Sequence, residues 1–233
     1  VRRRVPLPAT VLVTAVVAML VAVGAVVTAV VLRPKAEPAP AAVPAAAGGS
    51  ATVTCDGGPC VVLASRQAKG ETVELLADAA GGSGKIRFGG TGSDIVLETS
   101  ITVMGARLRQ DSLECVDGPT AACLVRGPVD GGMLGEVLVA RADIWRPAEQ
   151  PYFADGSRIV LAQVVDDDTP EVIVVRHVCS GAATDCQRDP VVAAVYRLGA
   201  DEPVGCTRRY SVPAQLRGWP DVRVTRGELR QCP

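Results

Sequence analysis

The pattern of apolar positions divides the chain into three parts. Ala9 to Leu32 is an unbroken run of 24 residues without a charge. As a helix rising about 1.5 Å per residue it reaches roughly 36 Å, enough to cross a hydrocarbon core of about 30 Å with some tilt. Residues 33–51 are rich in proline and alanine and carry no periodic apolar pattern, which predicts a semi-extended spacer. From residue 52 onward the apolar runs are short and rich in β-branched residues: Cys60–Leu63, Val73–Leu76, Ile95–Val103, Glu136–Val139, Arg158–Val165, Glu171–Val178, Val191–Tyr196 and Val222–Val224. Helical periodicity is absent from this part, and glycine or proline punctuates it about every 8–12 residues, so the pattern predicts an all-β domain over 52–233.

Arg2, Arg3 and Arg4 precede the apolar run and outnumber the basic residues just after it. The positive-inside rule then puts residues 1–8 in the cytoplasm, a transmembrane anchor at 9–32 and everything beyond it outside the membrane. The run is longer than the apolar region of about 7–15 residues in a secretory signal peptide, which favours an uncleaved anchor, while the small residues at Ala45, Ala46 and Ala47 keep cleavage open as the alternative.

Within the exterior part, Cys55-Asp-Gly-Gly-Pro-Cys60, Cys115-Val-Asp-Gly-Pro-Thr-Ala-Ala-Cys123 and Cys179-Ser-Gly-Ala-Ala-Thr-Asp-Cys186 recur at offsets of 60 to 64. Gly70–Asp78 matches Gly135–Asp143 at offset 65, and Gly92–Leu97 matches Gly156–Leu161 at offset 64. Such self-similarity predicts about three repeats of roughly 63 residues, at 52–112, 113–176 and from 177 onward. Each is expected to hold a small antiparallel sheet, arranged as propeller-like blades or as a compact sandwich. Two cysteines flanking a Gly/Pro/Asp turn make a hairpin that its own disulfide can staple, because opposed Cα atoms lie about 4.5–5.5 Å apart. That assigns Cys55–Cys60, Cys115–Cys123 and Cys179–Cys186, and by elimination Cys206–Cys232.

All eight cysteines lie on the exterior side of the apolar run, as an oxidising compartment requires of disulfides. Segment 1–51 carries five basic residues and one acid, so that the overall charge of −1 leaves −5 for residues 52–233. A net acidic exterior argues against nucleic acid and against anionic lipid surfaces as partners. With 21 Arg to 3 Lys, no Asn, and Ala, Val, Gly and Pro dominant, the chain resembles envelope proteins of actinobacteria. The stretch Val164-Val-Asp166-Asp167-Asp168-Thr-Pro-Glu171-Val-Ile-Val-Val175 resembles the turn of integrin-type (FG-GAP) propeller repeats. That resemblance implies calcium held by Asp166, Asp167 and Asp168; by composition alone the same segment is a solvated acidic turn.

Few residues point to catalysis. His177 is the only histidine, and no Gly-x-Ser-x-Gly turn accompanies it. No Cys-x-x-Cys pair is present for redox or zinc chemistry. Trp145, Tyr152 and Phe153 concentrate three of the seven aromatics in what is expected to be a loop, where they serve either as binding anchors or as core plugs, and Trp219 is a second candidate of the same kind. The expected product is a single-pass, membrane-anchored, non-catalytic module of the cell envelope that binds an envelope protein or glycan or supports an assembly. Two alternatives stand beside it: an extracytoplasmic hydrolase using carboxylates such as Asp143, Asp155 or Asp166–Asp168, and the sensor half of a signalling protein whose cytoplasmic part precedes Val1.

Overall fold

The computed structural model describes residues 52–142, 144–148, 150–165, 168–179 and 186–233. The expected cytoplasmic segment, anchor and spacer, together with Asp143, Asp166 and Asp167, lie outside the described residues. Among the described residues no helix is long and apolar enough to cross a membrane. Gly48–Pro233 forms a compact unit by itself, and it holds every core cluster and disulfide presented below.

The unit is all-β, built from four antiparallel sheets, none of them closed. A small stapled hairpin, β1 (Thr54–Cys55) with β2 (Gly58–Pro59), leads into the first main sheet, β3 (Val61–Ala68), β4 (Glu71–Ala77), β5 (Gly84–Phe88) and β6 (Ile95–Glu98), in chain order. The second contains β7 (Leu113–Val116), β8 (Ala122–Val129), β9 (Gly132–Arg141) and β10 (Ile144–Pro147), with β11 (Tyr152–Ala154) sharing the outer edge of β9 with β10. The third runs β12 (Arg158–Ala162), β13 (Glu171–His177), β14 (Val191–Arg197) and β15 (Gly205–Cys206). Each main sheet is therefore an up-and-down meander. Their first strands are neighbours, β3 beside β7 and β7 beside β12.

The main sheets pack face to face. Val73, Leu75, Ile86 and Phe88 of the first meet Leu113, Val125, Leu138 and Trp145 of the second. The opposite face of the second sheet, through Leu124, Val137 and Val139, covers Ile159, Leu161, Val172 and Val174 of the third. The far face of the third sheet carries Val160, Ile173, Val175, Ala193 and Val195, and it lies under Leu216, Val222 and Val224 of the C-terminal tail. Strands covered on both faces gain from apolar residues at every position, so β13 and β14 read as continuous rather than alternating runs. Gly135 permits close approach of the second and third sheets: a Cβ there would stand 2.9 Å from Ile159 Cδ1.

The four disulfides are Cys55–Cys60, Cys115–Cys123 and Cys179–Cys186, the pairs assigned from the hairpin pattern, and Cys206–Cys232, the pair assigned by elimination, and no cysteine is left free. Cys115 and Cys123 are directly opposed in the β7–β8 ladder, with Cα atoms 4.0 Å apart.

Several sequence expectations are corrected. The matched peptides fall on non-equivalent strands: Gly70–Asp78 covers the second strand of its sheet and Gly135–Asp143 the third of its own, while Gly92–Leu97 enters a fourth strand and Gly156–Leu161 a first. The boundary at 176/177 cuts the end of β13. A glycine followed by β-branched residues is the chemistry of any turn entering any strand, so it recurs without marking the structural unit. The run Ile95–Val103 is a strand only as far as Glu98; Ile101 plugs the core while Val103 projects into solvent. Val222–Val224 is no strand, although both valines are buried.

Candidate functional site

One end of the unit gathers turns from all three main sheets. Lys69 and Gly70 connect β3 to β4 with φ of 54° and 75°, the geometry of a tight hairpin turn that follows strand twist. The Lys69 backbone N–H donates to Asp117 Oδ1 at 3.0 Å, tying the first sheet to the β7–β8 loop. That loop is tied to the third sheet in turn, because Thr120 N–H donates to the Asp168 carbonyl at 3.3 Å.

Between these turns lies a cavity of about 640 Å³, lined by Lys69 from the first sheet, Thr120 and Arg141 from the second, and Thr169, Glu171 and Arg197 from the third. Glu171, 1% exposed, accepts the backbone N–H of Val164 at 2.9 Å on Oε2. The cavity continues past Arg141 and Leu198 into a depression of about 270 Å³ beside Arg146. Gly199 links that in turn to a third, of about 310 Å³, at Tyr152, Phe153 and Tyr196. The three depressions adjoin through these shared residues and together form a grooved surface, cationic at one end and aromatic at the other.

The aromatic end is well ordered by its contacts. Tyr152 and Tyr196 meet edge to face with ring centroids 5.7 Å apart. The Tyr152 hydroxyl donates to the Arg197 carbonyl and accepts from the Gly199 N–H, both at 3.4 Å. Burial raises the Tyr152 phenol above its ordinary value, with the Gly199 N–H opposing that shift and Tyr196 and Asp201 adding to it, so the ring presents a neutral hydroxyl at physiological pH. Phe153 is 52% exposed and has no such anchor.

The four aromatic candidates thus separate. The segment expected as a loop holds two short strands instead, because both find backbone partners along β9, with Trp145 in β10 and Tyr152 and Phe153 in β11; Tyr152 and Phe153 line the groove. Trp145 is a core plug instead, 7% exposed, stacked on Phe88 with ring centroids 4.8 Å apart and donating its indole N–H to Glu71 across the sheet junction. Trp219 belongs to the C-terminal tail and packs in part against the third sheet. The carboxylate candidates separate too. Asp168 contributes its backbone carbonyl to the loop junction. Among the described residues no three His, Cys, Asp or Glu side chains gather where a metal ion could be held. Asp155 Oδ1 lies 3.5 Å from His177 Nδ1 but already accepts the His177 backbone N–H at 2.8 Å. Neither residue lines the groove.

Sequence reasoning passed over Lys69, Arg141, Arg146 and Arg197. Each is a cation at or near a strand end, which by itself is ordinary surface chemistry, and only the fold brings the four to one groove. No protein-family model, curated protein or solved structure matches the chain.

Proposed function

We propose that the chain is a membrane-anchored, extracytoplasmic binding module of the cell envelope, without catalytic activity of its own. The uncharged run at 9–32 supports the anchor, and the four disulfides fit an oxidising exterior. The three meanders, with neighbouring first strands and packed faces, support a propeller-like stack of three blades that stays open.

The observation that carries the binding reading is the row of adjoining pockets that makes up the groove: guanidinium and ammonium groups line one end and half-exposed rings the other. Guanidinium recognises carboxylate or phosphate, and aromatic rings stack on sugars or apolar side chains. The ligand class that fits is an extended acidic chain, an envelope glycan or the segment of an envelope protein. The test is calorimetric titration of residues 48–233 with acidic envelope oligosaccharides and peptides. Arg141→Ala with Arg197→Ala is expected to weaken binding at least tenfold; an unchanged affinity sinks the assignment. The hydrolase alternative rests on carboxylates such as Asp143, Asp155 or Asp166–Asp168, and Asn in place of each tests it by loss of any hydrolytic activity found.

A further inference from the structure

The C-terminal tail, residues 207–233, crosses the outer face of the third sheet as irregular chain with short 3-10 turns at Pro213–Gln215 and Arg226–Glu228. The Cys206–Cys232 disulfide and the paired backbone bonds of Cys206 with Arg230 fasten its end. The tail holds six arginines, at 208, 209, 217, 223, 226 and 230, against Asp221 and Glu228, a net +4. The exterior domain is −5 in all, so residues 52–206 carry −9. The net charge of the domain therefore averages two unlike regions.

Every one of the six arginines is exposed, whereas Leu216, Val222 and Val224 face the sheet. Arg217 reaches Glu228 at 3.6 Å and Arg208 lies 4.7 Å above the Tyr210 ring. Arg209, Arg223, Arg226 and Arg230 make no ion pair or side-chain hydrogen bond among the described residues. Covering the third sheet requires only the inward apolar residues. The attraction of the tail to the acidic body acts through solvent-exposed groups and is screened by salt, and the unpaired like charges repel one another, so packing accounts for little of the array.

We propose that this tail is a docking face for the anionic phospholipid headgroups of the membrane that holds the chain. The arginines recur from Arg208 to Arg230 and each is exposed, so a surface carrying many anionic groups suits their number better than a single anion. Trp219, half-buried among them, is a residue type that settles at a lipid–water interface, and Val212 nearby in the chain is exposed. The inference rests on the anchor reading for its efficiency. A chain held by that anchor meets the bilayer at high effective concentration. Each basic residue near an anionic surface strengthens partitioning about fivefold.

The test mixes residues 48–233, which lack the anchor, with vesicles of 30% phosphatidylglycerol in phosphatidylcholine. The protein is expected to cosediment with them at low salt, to release as salt rises, and to ignore pure phosphatidylcholine vesicles. Replacing Arg209, Arg223, Arg226 and Arg230 together by Gln is expected to lower binding to the level of neutral vesicles. Replacing the same four by Lys keeps it, which separates lost charge from lost folding. Equal binding to neutral vesicles, full binding by the Gln variant, or preference for soluble dextran sulfate over the vesicles each overturns the proposal, the last in favour of an acidic polymer. Carbonate extraction of the full chain from membranes reads the anchor separately, so failure of one reading is distinguishable from failure of the other.

Discussion

Arginine serves opposite purposes in the stacked sheets and in the C-terminal tail. In the sheets, Arg87 is held 2.7 Å from Glu74 with both side chains nearly buried. Arg126 pairs with Glu114 and also donates to the Ile159 carbonyl at 2.7 Å, while Glu114 accepts the Leu161 N–H at 3.2 Å. That second network joins the second and third sheets. In the tail, four guanidinium groups face water with no partner among the described residues. A charge taken out of water is tolerated only when it is paired and hydrogen-bonded, whereas an exposed one has no such requirement. The sheet arginines are thus fixed by the fold, and those of the tail are available to something outside it.

The largest expected effect breaks the first half of this contrast. Glu74→Ala leaves the Arg87 charge buried without its counterion and should cost about 3–5 kcal/mol in urea unfolding of residues 48–233. Next comes the fastening of the tail. Removing Cys206 and Cys232 together, which close a loop with sequence separation 26, should cost about 3.5 kcal/mol on the chain-entropy model. The same change at Cys55 and Cys60, separation 5, should cost about 2 kcal/mol, so the two variants rank the bridges. An exposed tail arginine stands at the other extreme: Arg223→Gln should shift stability by no more than about 0.5 kcal/mol.

The smallest effect sharpens the contrast by pH. The backbone N–H and hydroxyl of Thr225 bond the Glu228 carboxylate and, with Arg217 adding to them, hold its pKa below the ordinary carboxylate value. A lowered folded-state pKa gives stability that is present above the ordinary value and lost as pH falls through the lowered one. Because Glu228 is partly open to solvent, the loss is slight. Glu228→Gln should flatten the melting temperature across that acidic range relative to the parent chain.

What could be read from the sequence follows the same division between local and distant causes. Short β-branched runs between turns announced an all-β domain, and cysteines flanking Gly/Pro/Asp turns announced three of the four bridges, because both signals lie within a few residues. Strand β5 was missed since Arg87 and Lys85 break its apolar character, and Arg87 becomes compatible with burial only through Glu74 on the neighbouring strand. Strand β8 was missed for the same reason at Arg126, with Gly127 and Pro128 reading as a breaker. Trp145 was legible as an important aromatic but not as a core residue, because its partners Phe88 and Glu71 are far along the chain. The groove was illegible altogether: it is assembled from separate turns of three sheets, none of which carries a motif. The arginines of the tail were visible in the sequence but disappeared into the overall charge, and the fold is what separates them from the acidic body.

The measurement that tests this account most directly is amide hydrogen exchange of residues 48–233 with and without anionic vesicles. Protection gained across 207–233, with the exchange of the three main sheets unchanged, is the predicted footprint. Protection centred on the groove at Lys69, Arg141 and Arg197–Gly199, or none anywhere, would contradict the division of charge between a structural body and a tail that meets the membrane.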